Sequence, residues 1–190
     1  MTKALILLAP GFEEIEAFSI VDVLRRCHIQ VIMAGLKPNV VNGAHGIKVI
    51  PDKSIDAVSV KDFDAVVCPG GSLGFENLRK DQRVIRIVKE AFEVNKIVAA
   101  ICAAPIILSD MGILRGKACT IYPGMEDELL RGGGRPKKED LVVVDGNVIT
   151  SKGPATAIAF ALKIALKLVD RQVVEDVKKN MLADVGVKFQ

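Results

Sequence analysis

Three short stretches of the sequence carry residue types that can do chemistry. The first is Ile97-Val98-Ala99-Ala100-Ile101-Cys102-Ala103-Ala104-Pro105, an aliphatic run that ends at a cysteine and continues into small residues and a proline. That is the outline of a nucleophile elbow, a tight strand-to-helix turn that leaves its side chain proud of a sheet. Ala100, Ala103 and Ala104 let the backbone turn without clashes. A helix starting near Pro105 would aim unpaired N–H groups and its dipole at the sulfur, which favours a thiolate. A buried, inert core thiol is the other reading of the same cysteine.

The second stretch is Pro69-Gly70-Gly71-Ser72-Leu73-Gly74. Consecutive glycines at a strand end let backbone N–H groups turn inward as an anion nest or oxyanion hole, or they make an ordinary tight turn. The stretch is not a phosphate loop, because it has neither the Lys-Ser/Thr of one type nor the glycine spacing of the other. The third is Pro10-Gly11-Phe12-Glu13-Glu14-Ile15-Glu16. Glu13 and Glu14 fit the first turn of a helix, where acidic side chains answer the dipole. Glu16 shares a helical face with Ile20, Val23 and Cys27, the apolar stripe. A carboxyl there either snorkels to water or stays protonated near neutrality, able to donate a hydrogen bond and shuttle a proton. Together the three stretches supply a nucleophile, an anion hole and an acid/base.

These stretches need elements to hold them. Ala4–Ala9, Ile29–Ala34, Ala65–Cys68, Ile97–Ile101 and Ala118–Ile121 are short apolar runs that read as buried strands. Helical patterns cover Glu14–Cys27, Gln82–Val94, Ala104–Met111 and Met125–Arg131. Leu141–Val144 and Val148–Thr150, joined through Asp145-Gly146-Asn147, read as a β-hairpin. Two helices, Ala155–Val169 and Val173–Leu182, close the chain, with a break near Asp170-Arg171. The alternation predicts βαβ units and a mostly parallel sheet in a three-layer α/β/α sandwich, one domain over residues 1–190. Ligands of such sheets bind outside the carboxyl ends of the strands, where all three stretches lie.

Composition narrows the function. Half of the 190 residues are apolar but only 4% are aromatic, with no Trp, so the ring platforms of a single-stranded nucleic-acid reader are missing. The net charge of +3 is interspersed, and the densest basic run, Arg131 to Lys138, reads as a solvated loop, so no nucleic-acid partner is expected. The longest uncharged apolar run, Ile97 to Ser109, is too short for a membrane span. Ala4 to Phe12 reads as a first strand rather than a signal core, and the expectation is a cytoplasmic protein. Cys27, Cys68, Cys102 and Cys119 form no CxxC pair, and two isolated histidines, His28 and His45, do not make a transition-metal cage. No metal or cofactor is expected. Cys68 and Cys119 read as core sulfurs, Cys27 as packing beneath the site or at a dimer contact, and His28 as a capping or surface residue. Lys152 and Arg26 either help to hold an anionic substrate or are ordinary surface or interface charges.

Gly-x-Glu-Glu-x-Glu after the first strand, Pro-Gly-Gly-x-Leu-Gly and Ala-Ala-Ile-Cys-Ala-x-Pro together resemble the ThiJ/PfpI superfamily. Val21-Asp22-Val23-Leu24-Arg25-Arg26 and Thr150-Ser151-Lys152-Gly153-Pro154-x-Thr156 resemble its branch containing the Parkinson-associated protein deglycase. The likeness is collinear over nearly the whole chain. It implies a flavodoxin-like fold and a homodimer with sites near the subunit interface. It also implies Cys102 as the reactive cysteine, Glu16 as its protonated partner, and Gly70, Gly71 and the Ala103 backbone as anion-binding amides. Pro154 falls within the matched segment as a substrate-binding position. Tyr122 stands where many members carry histidine, and His45 where arginine is common, facing the partner subunit's site. Ala103 replaces the histidine that follows the cysteine in the peptidase branch, which disfavours peptidase activity, since a Cys-His hydrolase needs an imidazole beside its thiol.

The resemblance implies a cofactor-independent glyoxalase or deglycase acting on small 2-oxoaldehydes such as methylglyoxal, or on glycated protein, in carbonyl or oxidative stress defence. Two alternatives stay open: a redox sensor that works through oxidation of Cys102, and a chaperone-like module with a silent site.

Overall fold

Residue parity along the central strands decides the architecture. Leu5, Leu7, Val66, Cys68, Val98 and Ala100 pack into one hydrophobic layer, while Ala4, Ile6, Leu8, Val67, Ala99 and Ile101 pack into another. Successive side chains of a strand point to opposite faces, so strands apolar at every position must be covered on both sides. The computed structural model, which describes residues 1–37 and 39–183, meets that requirement with helices on each face of the sheet.

In chain order the elements are β1 (Lys3–Leu8), α1 (Glu14–Arg26), β2 (Gln30–Gly35), β3 (Val41–Asn42), β4 (Lys48–Val49), β5 (Lys53–Ser54) and β6 (Ala65–Cys68). They continue with α2 (Ser72–Lys80), α3 (Gln82–Glu93), β7 (Ile97–Ile101), α4 (Pro105–Asp110), β8 (Ala118–Cys119), α5 (Glu126–Arg131) and β9 (Arg135–Pro136). The last are β10 (Val142–Asp145), β11 (Val148–Ser151), α6 (Ala157–Leu168) and α7 (Arg171–Asn180). The main sheet runs β10-β11-β7-β6-β1-β2-β5. Its pairs are parallel except β10 with β11. Setting aside the edge strands β5 and β10, this is the flavodoxin-like order, and the direction of winding reverses between β1 and β6.

The sheet, the layers and the hairpin agree with the sequence reading, and the differences have local causes. Helix α2 follows the Gly-Gly stretch directly and is absent from the sequence reading, because Gly74 and the polar residues of Ser72–Lys80 hide its pattern. Ala118–Ile121 was expected as a core strand. Only Ala118–Cys119 is extended, and it pairs with β9 in a separate two-stranded ribbon. That ribbon gives Arg135 and Pro136 a strand conformation inside the run read as a solvated loop. The penultimate helix starts two residues late because Pro154–Thr156 forms a 3-10 turn ahead of it. Residues 184–190 of the expected single domain lie outside the described residues.

Candidate active site

The three stretches meet at the carboxyl ends of β1, β6 and β7, adjacent strands at the reversal point. Glu16 reaches the site because α1 starts at once after β1. Glu13 is the N-cap, and its carboxylate accepts from the Glu16 N–H at 2.7 Å. This fixes the first turn so that Glu16 points inward with Ile20 and Val23, all three fully buried. Its Oε2 accepts a 2.7 Å bond from the Gly70 N–H, and its Oε1 is buried without a conventional hydrogen bond. The side-chain partner of this carboxyl is the Cys102 thiol.

Cys102 occupies the left-handed region, at φ 64°, which a β-carbon disfavours. Neighbouring backbone holds it there: the Cys102 N–H donates to the Ser151 carbonyl at 3.0 Å, and its carbonyl accepts from the Tyr122 N–H at 3.0 Å. Ala104 N–H closes the turn onto Ile101 O at 3.1 Å before Pro105 opens α4. Strain at a single bulky position, stabilised from outside, is the physical content of an elbow.

Two glycines admit the close approach. A β-carbon on Gly70 would lie 2.5 Å from Cys102 Cβ and 2.7 Å from Glu16 Oε2, so any side chain there would wedge the pair apart. Gly71 has φ 94°, and a β-carbon on it would collide with the Gly11 carbonyl and with Glu13 N at 2.7 Å. The N–H groups of Gly71 and Ala103 bear on the Cys102 sulfur, whereas the Gly70 N–H is committed to Glu16. The amides that face the sulfur are therefore those of Gly71 and Ala103, while the Gly70 amide of the expected anion-binding set orients the carboxyl.

Burial pushes the Glu16 carboxyl up to about 7, the Gly70 N–H working against it and the Glu13 charge with it. Burial is also the largest influence on Cys102, followed by the Glu16 charge, and pushes the thiol up to about 12 despite the Gly71 and Ala103 amides. This corrects the expectation of a standing thiolate, since desolvation outweighs the helix terminus. Both groups are thus protonated below neutrality, and above it the carboxyl loses its proton before the thiol does.

The remaining candidates lie further out. Tyr122 is joined to Cys102 through its backbone, is 48% exposed, and lays its ring edge against Gly153, so it walls the site. Pro154 opens the 3-10 turn next to Gly153. His45 is exposed in the turn between β3 and β4, where its Nδ1 lies 2.8 Å from Glu14 Oε2 and its N–H donates to Glu14 Oε1 at 2.7 Å. Glu13, Glu14 and His45 bring ligand-type atoms within 4.8 Å of one another. Their carboxylates already accept from the Glu16, His45 and Ile47 amides, so the group is a clasp between α1 and the β3–β4 turn. Cys68 and Cys119 are core sulfurs as expected, and burial pushes Cys68 up to about 12. Cys27 is also core but caps the far end of α1, so it does not lie beneath the site.

Glu13 is the positioning residue that sequence reading missed: as N-cap it orients Glu16, and its N–H donates to the Gly70 carbonyl. Its signal was present, because an acidic N-cap three residues before a glutamate is a capping-box spacing.

The family model described as the DJ-1/PfpI family matches residues 2–167. Protein dj-1beta of Drosophila melanogaster is 40% identical, covering 95% of this chain and 96% of its own, and its crystal structure superimposes with a TM-score of 0.89. A protein of Pyrococcus abyssi named as a deglycase is 36% identical over 83% of this chain and 94% of its own. The structure of oxidised DJ-1 from Toxoplasma gondii is 33% identical, with a TM-score of 0.89 over 96% of this chain and 98% of that one.

Proposed function

The chain belongs to the DJ-1/PfpI family, and from that premise we propose that its Cys102–Glu16 dyad converts 2-oxoaldehydes such as methylglyoxal to hydroxy acids without a cofactor. The same chemistry would act on glycated protein amines or thiols in the deglycase variant, as the name of the Pyrococcus relative suggests. The observation that carries the reading is Glu16: a fully buried carboxyl with one oxygen bonded to Gly70 and the other without a conventional hydrogen bond, held against a strained cysteine.

The Cys102 sulfur adds to the aldehyde carbon as its proton passes to Glu16. The Gly71 and Ala103 N–H groups hold the developing oxyanion, and protonation of that oxygen gives a hemithioacetal. Glu16, ionised again, removes the proton from the former aldehyde carbon, giving an enediolate. Returning that proton to the neighbouring carbon leaves a hydroxyacyl thioester. Water then cleaves the thioester, releasing the hydroxy acid and restoring the thiol. The sum is one dicarbonyl plus one water to one hydroxy acid.

The test is methylglyoxal consumption by metal-free, glutathione-free protein, with lactate quantified over many turnovers. Cys102→Ser should abolish turnover and Glu16→Gln should lower it by about 10²–10⁴-fold. Lactate production that survives Cys102→Ser, or that keeps the parental rate in Glu16→Gln, would overturn the mechanism.

A redox reading is favoured by one further observation: Cys102 is half-buried, whereas Cys27, Cys68 and Cys119 are buried. The same amides and carboxyl would hold the oxygens of a sulfinate. Stoichiometric gain of two oxygens at Cys102 under mild peroxide, without lactate formation, would select it. No imidazole contacts the thiol among the described residues, which argues against a Cys-His peptidase. A homodimer remains part of the reading, checked by light scattering. Among the described residues no helix is long and apolar enough to cross a membrane.

A further inference from the structure

Two backbone bonds hold Cys102 at φ 64°, and the Thr150 side chain links the two segments that supply them. One bond comes from β11, whose Ser151 carbonyl accepts the Cys102 N–H. The other comes from the stretch after β8, whose Tyr122 N–H donates to the Cys102 carbonyl. Thr150 precedes Ser151 in β11, and its Oγ1 accepts the Thr120 N–H at 2.9 Å, just ahead of Tyr122.

Strand parity puts the hydroxyl there. Val148 and Ile149 belong to opposite hydrophobic layers, so Thr150 points with Val148 into the layer that holds Cys119 and Ile121. Thr150 and Thr120 are both buried, so a Thr120 N–H deprived of its acceptor would carry its full desolvation cost. The two segments differ in how firmly they are held. β11 is paired on both sides, and its end is fixed again where Ser151 Oγ donates to the Leu141 carbonyl at 3.1 Å and lies 2.6 Å from Thr156 Oγ1. β8 is two residues long and pairs only with β9. The Ala118 N–H ties its start to Asp145 Oδ2 at 2.8 Å, and the Thr150 hydroxyl ties the chain just past its end. A residue in a disfavoured conformation stays there only while its surroundings over-determine it. With the Thr120 end released, the Cys102 carbonyl would lose its fixed donor, and the cysteine could relax to negative φ, taking its sulfur away from Glu16, Gly71 and Ala103.

We propose that Thr150 is a positioning residue for the Cys102 site: its hydroxyl oxygen fastens the Thr120–Tyr122 stretch to β11 and so keeps the cysteine left-handed. The inference stands on the elbow geometry, and only the kinetic part of its test rests on the 2-oxoaldehyde reading.

Thr150→Val keeps the shape and removes the acceptor, whereas Thr150→Ser keeps the oxygen. Protein labelled with ¹³C at cysteine is followed by NMR, with Cys27 and Cys68 as internal references in the core. In Thr150→Val the Cys102 Cα and Cβ signals are expected to move or split while those two hold. Thr150→Ser is expected to restore the parental Cys102 signals. Asp64→Ala, which weakens the opposite end of the sheet, is expected to leave them in place, separating positioning from a general loss of stability. For methylglyoxal, kcat should fall about tenfold or more in Thr150→Val with KM within about twofold, and stay near parental in Thr150→Ser. Parental Cys102 signals in Thr150→Val overturn the proposal, as does a Thr150→Ser protein that behaves like Thr150→Val. Thr150→Ala, smaller and also without the oxygen, gives the same reading where Thr150→Val does not fold. If the parent turns over no methylglyoxal, the catalytic reading fails, while the Cys102 signals still decide the role of Thr150.

Discussion

The two ends of the central strands are built on opposite principles. At the amino ends of β1, β6, β7 and β11, hydrogen bonds close on one another. Lys3 N–H donates to Asp64 Oδ2 and Asp64 N–H to the Lys3 carbonyl, Ile97 N–H to Asp64 O, and Val98 N–H to Asn147 O. Asn147 Nδ2 then donates to Lys96 O, and Lys96 Nζ to Phe63 O. The left-handed non-glycines at this end, Asn95 at φ 58° before β7 and His28 at φ 60° before β2, are residue types that tolerate the conformation and sit at helix ends. At the carboxyl ends, Cys102 is strained, Gly71 is at φ 94°, and Glu16 is buried with an unpaired oxygen. One sheet therefore carries an end whose polar groups are paired and an end that holds strain and an unpaired carboxyl oxygen.

The largest effect expected from this contrast is a pH dependence. The Glu16 carboxyl sits at about 7 in the fold, against an ordinary 4.5. A raised value adds stability that is complete below pH 4.5 and is lost as the pH rises through 7, about 3 kcal/mol for this shift. Urea unfolding of the parent should fall by about that much between pH 4.5 and pH 8 relative to Glu16→Gln. Parallel pH profiles would break the contrast.

Gly71→Ala comes next. Its φ alone costs about 1–3 kcal/mol, and the collision with Gly11 and Glu13 displaces an anion-hole amide, so thermal stability and Cys102 alkylation should drop together. Stability lost with reactivity intact would show that this amide does not act on the sulfur. The smallest effect belongs to the other end. Asp64→Ala removes one exposed hydrogen bond, costs about 1 kcal/mol, and should leave the alkylation rate at the parental value.

Much of the carboxyl end was legible in the sequence because its signals are local. A strand running into Cys102, paired glycines after β6 and a glutamate on an apolar stripe each speak within a dozen residues. The proton balance of the dyad was not legible, since it depends on how deeply Glu16 and Cys102 are buried together, and burial belongs to the whole fold. Helix α2 was hidden by Gly74, which is there because Phe12 and Gly11 pack against it, a tertiary demand that overrides helix propensity. The β8–β9 ribbon escaped for a related reason: two-residue strands carry no period to read. Glu13 was read as a dipole partner, and its tie to Gly70 emerged only when β6 came alongside.

The backbone bonds that hold Cys102 have a consequence in time. One partner, Ser151, lies in β11, and the other, Tyr122, follows β8, so the elbow is fastened by chain synthesised well after it. Contacts between distant parts of a sequence form slowly, because the loop between them must close first. Until β11 docks, a nascent or truncated chain carries the cysteine without the geometry, a free thiol like any other. The dyad therefore forms only on completed assembly, and a chain cut ahead of Val148 should lose methylglyoxal turnover while keeping every residue of the elbow itself.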